Sequence, residues 1–208
     1  MIKRETYMNR IRPFMNNDLI KVLTGIRRSG KSVMLELIKA ELIDLGVNTN
    51  QFISINFEDM RFSNLHTGQI LHEEILKRAE NIQGKVYLFF DEIQEVSDWE
   101  KCINSLRVIL DCDIYLTGSN AKLLSGELAT YLGGRYVEFV IYPFSYTEFF
   151  ELYKTVYPEI SEQQAFQKYL IAGGMPYLSN LRYEEAPSGQ YLEDLFNSVQ
   201  LKDIVKRN

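Results

Sequence analysis

Only two cysteines and two histidines occur in the 208 residues, and their spacing removes several kinds of chemistry at once. Cys102 and Cys112 stand ten apart and alone, so they build neither a disulfide framework nor a paired metal clasp. A chain of this length buries enough surface to fold without either, and a reducing compartment is the natural reading. His66 and His72 are six apart and fall off a common helical face, which argues against a metal site built on them. Basic charge is also scarce. The 23 Lys and Arg against 28 Asp and Glu leave a net charge of −5, the reverse of what a general polyanion-binding surface needs. Long apolar runs are missing too: Met1-Ile2-Lys3-Arg4-Glu5 lacks the apolar stretch of a leader, and runs such as Val86 to Phe90 are far too short to span a bilayer. A soluble cytoplasmic chain with no membrane partner is expected. No internal repeat, low-complexity tract or Asn-Lys-x-Asp guanine-reading segment is present.

What is present is a phosphate-binding signature. Gly25-Ile26-Arg27-Arg28-Ser29-Gly30-Lys31-Ser32 has the GxxxxGKS spacing of a P-loop, followed by Val33. In such a loop glycines let successive backbone N–H groups turn inward on an anion, the lysine reaches the outer phosphates, and the serine hydroxyl meets Mg²⁺. The context agrees. Residues 19–24 read as a short buried strand entering the loop, and Met34, Ile38, Leu42 and Leu45 recur at helical spacing after it, up to Gly46. The positive end of that helix dipole then faces the phosphates. Arg27 and Arg28 are less readable: they touch phosphate, or hold the loop against acidic neighbours such as Glu58 or Asp59.

Beyond this helix, strand and helix signals alternate. Strands are expected at residues 19–24, 52–57, 86–90, 114–117 and 136–142, and such alternation predicts an α/β fold with a parallel sheet covered on both faces. Ser97 and Glu100 form a capping-box pattern ahead of a stripe of Trp99, Cys102, Ile103, Leu106 and Ile109. From Pro143 strands stop. Ser145 and Glu148 form a second capping box, and breaks at Tyr157-Pro158, Gly173-Gly174-Met175-Pro176 and Ala186-Pro187-Ser188-Gly189 predict three short helices.

Three further groups sit where ligand chemistry is expected. Asp91-Glu92 ends the strand Val86 to Phe90: there the aspartate can hold the Mg²⁺ shell through water, and the glutamate can polarise a water attacking the γ-phosphoryl group. Ser119 or Asn120, after Thr117-Gly118, can hydrogen-bond that water or the γ-phosphate, or simply cap the helix expected over residues 121–132. Arg135 can reach a neighbouring subunit's nucleotide as a finger, or form an ordinary ion pair.

Taken together, the P-loop, Phe90-Asp91-Glu92-Ile93-Gln94, Thr117-Gly118-Ser119-Asn120, Gly134-Arg135, the segment Tyr142 to Phe149 and Gly173-Gly174-Met175-Pro176 resemble the prokaryotic AAA-type P-loop ATPase family. The resemblance spans nearly the whole chain, and the Tyr-Pro-Phe-Ser segment and the Gly-Gly-Met-Pro turn are its specific marks. It implies a P-loop NTPase three-layer sandwich whose five-stranded parallel sheet places the strand ending at Thr117 between the P-loop strand and the Asp91 strand. It also implies ATP and Mg²⁺ as ligands, Glu92 as catalytic carboxylate and Ser119 or Asn120 as sensor. The expected organisation is an ATPase core over 1–144 and a helical lid over 145–208, with the chain ending where family members continue into a further C-terminal domain. The expected activity is Mg-ATP hydrolysis that drives conformational change in an attached domain or protein partner, with a slowly turning nucleotide switch as the alternative. Oligomerisation through Arg135 goes with it, and charge gives no support to a nucleic-acid partner.

Overall fold

The computed structural model describes residues 2–118 and 132–204. They fall into two compact units. One holds the described residues of 5–25 and 31–141, the other those of 1–4, 26–30 and 142–208.

The first unit is built on a parallel sheet of β1 (Ile20–Thr24), β2 (Phe52–Asn56), β3 (Val86–Asp91), β4 (Cys112–Thr117) and β5 (Tyr136–Val140). Their order is β2-β3-β4-β1-β5, which sets β4 between the P-loop strand and the Asp91 strand as the resemblance implied. Side-chain alternation explains the layers. Val86, Leu88 and Phe90 of β3 join Cys112, Ile114 and Leu116 of β4 and Ile20 and Val22 of β1 in one core, together with α3 (Gly68–Ala79) and α4 (Trp99–Ile109). The intervening Tyr87, Phe89, Tyr115 and Leu23 face the other way, into a core with α1 (Glu5–Ile11) and α2 (Lys31–Asp44). Phe89 and Tyr115 stack there at 5.0 Å between centroids.

Several boundaries differ from the sequence expectation for visible reasons. The third strand runs one residue further because Asn56 and Asp91 pair in register, and the fourth begins two residues earlier because Val86 and Cys112 pair. The fifth stops at Val140. Helix α2 ends at Asp44 rather than at Gly46, which closes a Schellman motif with φ +93°: Gly46 N–H donates to Ile43 O and Val47 N–H to Leu42 O. Leu45 is consequently exposed. The Ser97–Glu100 capping box does not form. The Ser97 hydroxyl donates to His66 O, the residue forms a parallel bridge with Thr67, and Asp98 stands at the N-cap in left-handed backbone. Trp99, Cys102, Ile103 and Leu106 are buried as expected, whereas Ile109 is exposed. Burial pushes the Cys102 thiol up to about 12 and that of Cys112 up to about 11, so both are neutral packing groups.

The second unit is helical: α5 (Tyr146–Val156), α6 (Glu162–Ala172) and α7 (Glu185–Ile204) around Phe149, Tyr153, Ala165, Leu178 and Tyr183. The Ser145–Glu148 capping box is present. Pro187 does not break the chain; it lies in the first turn of α7, where a missing N–H costs nothing. The turn falls earlier, at Arg182 and Tyr183, both at positive φ. The Gly-Gly-Met-Pro segment is a helix stop: Gly173 caps α6 at φ +71°. Gly174 O then accepts from Phe144 N–H at 2.7 Å, and a Cβ on Gly174 would lie 2.0 Å from Phe144 O.

Candidate nucleotide site

The C-terminal ends of β1, β3 and β4 bring the chemistry together in the sheet unit, at the edge where open α/β sheets carry ligands. At the end of β1, Gly25 takes φ +136°, and a Cβ there would lie 2.1 Å from Ile141 O. Only glycine fits this approach. The loop then passes Arg28 and Gly30, also at positive φ, and enters α2 at Lys31. The Lys31 side chain is nearly buried; its ammonium donates to Gly25 O at 3.3 Å and lies 3.9 Å from Glu92 Oε1. The next two residues of the motif, Ser32 and Val33, are exposed in the first turn of α2.

Asp91 ends β3 in a saturated environment. The Thr117 hydroxyl donates to its Oδ1, and Asn56 Nδ2 donates to its Oδ2 at 3.1 Å. Thr117 Oγ1 also accepts from Glu92 N–H at 3.0 Å, so one hydroxyl holds both the Asp91 carboxylate and the Glu92 backbone. Glu92 stands in left-handed backbone at φ +56°, which turns its side chain out of the strand's alternation, and Gln94 Nε2 donates to its Oε2. The Gln94 side-chain oxygen, Oε1, is buried with no hydrogen-bond partner. An ammonium, a glutamate and a buried aspartate are thus gathered at one sheet edge, a set able to meet an anion, a hydrated cation and a polarised water together.

The other expected residues are placed differently. Ser119 and Asn120 lie outside the described residues. Arg28, within the helical unit, has its guanidinium over the rings of Tyr177 and Tyr191 at 5.8 and 5.9 Å. Asp59 pairs with Arg61. Arg135 is exposed and donates from Nη1 to Asn104 Oδ1 at 3.0 Å, while its carbonyl accepts from Ile20 N–H. That carbonyl bond puts it at the start of β1, the end of the sheet opposite Lys31.

Sequence reasoning missed Asn56, Thr117 and Gln94 as partners of the acids. The signal for Thr117 was its place two residues before the expected sensor; Asn56 becomes visible only through the β2–β3 register.

A family model described as an AAA domain matches residues 17–150, well over half of the chain. An uncharacterized protein of Haemophilus influenzae is 39% identical over 207 residues, covering 100% of this chain and 51% of that protein. Uncharacterized protein MJ1544 of Methanocaldococcus jannaschii is 34% identical over 197 residues, covering 91% and 42%. The chain spans about half the length of the curated relatives it matches. AMPPCP-bound DnaA of Aquifex aeolicus superposes with a TM-score of 0.53 at 16% identity, covering 99% of this chain and 66% of that one. The ORC1 protein of Aeropyrum pernix, solved in complex with DNA, gives 0.52 at 16%, covering 74% and 49%. These two likenesses carry the fold alone. Sheet order, P-loop and family match agree, and the chain belongs to the AAA domain family as an AAA-type P-loop ATPase domain.

Proposed function

We propose that this domain binds Mg-ATP and hydrolyses it, with conformational change in an attached domain or partner as the output. The observation that carries the reading is the approach of Lys31 Nζ to 3.9 Å from Glu92 Oε1, across the end of β4, which lies between β1 and β3. ATP fits the residues: the P-loop spacing supplies backbone amides for an anion, and the nearly buried Lys31 ammonium supplies a fixed cation for the outer phosphates. Mg²⁺ suits the Ser32 hydroxyl together with Asp91, whose two oxygens already accept protein hydrogen bonds, which favours a contact through water. When bound, the ion would neutralise charge on the phosphates. Glu92 takes a proton from water as the water oxygen bonds to the γ-phosphorus and the bond to ADP breaks.

Glu92→Gln should keep Mg-ATP binding and lose about 10²- to 10⁴-fold in phosphate release, while Lys31→Ala should lose binding. Wild-type turnover in Glu92→Gln would end the catalytic assignment. A slow nucleotide switch is the second reading, favoured by the hold of Gln94 on Glu92. Single-turnover kinetics separates the two: prompt hydrolysis followed by slow exchange belongs to a working ATPase, slow hydrolysis of bound ATP to a switch. A DNA partner, suggested by the ORC1 likeness and opposed by the net charge, predicts salt-sensitive duplex binding.

A further inference from the structure

Arg4 stands outside every motif that points to nucleotide, yet its side chain is a buried cation bonded to several groups of the helical unit. It is 2% exposed and sits at φ +50°, a backbone conformation that costs an arginine of the order of 1–2 kcal/mol. Its Nη1 donates to Ser29 O at 2.9 Å, its Nη2 to Tyr142 O at 2.8 Å, and its Nε to Glu148 Oε1 at 3.0 Å. The guanidinium also lies 5.1 Å from the centre of the Phe144 ring. Ser29, Tyr142, Phe144 and Glu148 belong with Arg4 to one compact unit, so the fork joins three stretches of chain far apart in sequence.

The bond to Ser29 O has a directional consequence. The peptide is planar and trans, so its C=O and the N–H of the next residue point in opposite directions. Anchoring Ser29 O on Arg4 therefore turns Gly30 N–H away from Arg4, to the opposite side of the loop. A phosphate loop binds by amides turned the same way, and a carbonyl rotated among them would repel the anion. Gly30 at φ +101° is free to follow. Lysine cannot replace the fork, because one ammonium does not span Ser29 O, Tyr142 O and Glu148 in a fixed plane.

We propose that Arg4 is a positioning residue for triphosphate binding: its guanidinium holds the Ser29 carbonyl outward against the Tyr142–Glu148 segment and so presents the Gly30 amide to phosphate. This rests on the Mg-ATP reading above. The test is calorimetric titration of Mg-ATP into wild-type, Arg4→Lys and Glu148→Gln chains, with ¹⁵N-glycine spectra following the Gly30 amide. Wild-type protein should bind and shift the Gly30 resonance; no binding by folded wild type would end the nucleotide reading itself.

Given wild-type binding, Arg4→Lys should weaken Mg-ATP by about tenfold or more, the scale of one charge-assisted hydrogen bond. The Gly30 shift should be lost and the rise should appear in KM. Glu148→Gln, which keeps the capping box, should weaken binding less. Unchanged affinity and an unchanged Gly30 shift in folded Arg4→Lys would overturn the inference. If Arg4→Lys does not fold, Glu148→Gln decides: a several-fold loss of affinity with a diminished Gly30 shift supports the inference, and wild-type values for both overturn it.

Discussion

Thr117 is the residue on which the acidic end of the site turns. Its hydroxyl donates to Asp91 and accepts from the Glu92 amide, and it is fully buried at the end of β4. Thr117→Val keeps the shape and removes both bonds, leaving a buried carboxylate oxygen and a backbone N–H without that partner. A loss of about 1–3 kcal/mol in folding stability is expected, read as a lower urea midpoint, with ATP hydrolysis falling because the backbone that carries Glu92 is no longer held. A variant as stable and as active as wild type would show that the hydroxyl merely fills space. At this scale the sequence was informative where a residue acts through its own neighbours. Gly25, Lys31, Asp91 and Glu92 announce themselves by local spacing. Thr117, Asn56 and Arg4 act on groups 26, 35 and 25 positions away, so they become legible only once strand order and packing are known.

Elements show the same division between local and tertiary control. The Ser145–Glu148 box forms because both halves of the motif lie in one turn, and Arg4 Nε takes Glu148 Oε1 while Oε2 still accepts from Ser145 N–H. Ser97 carried an equally good local pattern, but the Thr67 bridge and His66 carbonyl took its polar groups, a tertiary claim that propensity cannot foresee. Pro187 was misread because a proline that stops one helix is equally at home in the first turn of the next. Helix α2, which follows the phosphate loop, ends on a device that is wholly local. Gly46 sits at φ +93° with open space where a Cβ would stand, so Gly46→Ala costs only the left-handed backbone. That penalty is about 1–2 kcal/mol, and thermal unfolding should report it. Mg-ATP affinity should stay at the wild-type value, because the change lies at the far end of α2 from Lys31. A loss of affinity in proportion to stability would mean that the helix end and the phosphate loop are one cooperative unit.

The parallel topology of the sheet unit gives it two chemically distinct ends, and this constrains how molecules can act together. Lys31, Asp91 and Glu92 lie at the C-terminal ends of their strands, whereas Arg135 O pairs with Ile20 N–H at the N-terminal end of β1. Five strand residues separate the two ends, roughly 16 Å at 3.3 Å per residue. Arg135 therefore cannot serve its own phosphate loop, and the role open to it in hydrolysis is on the nucleotide of a neighbouring copy. One of its hydrogen bonds is to Asn104, a neutral, half-buried acceptor whose bond is exchanged at modest cost. If the finger operates, activity per subunit rises with protein concentration as copies associate. Neither Arg135→Ala nor Lys31→Ala is active alone, and mixing them restores hydrolysis because each supplies what the other lacks. An inactive mixture together with concentration-independent wild-type activity would assign Arg135 to surface structure and leave each domain to hydrolyse ATP by itself.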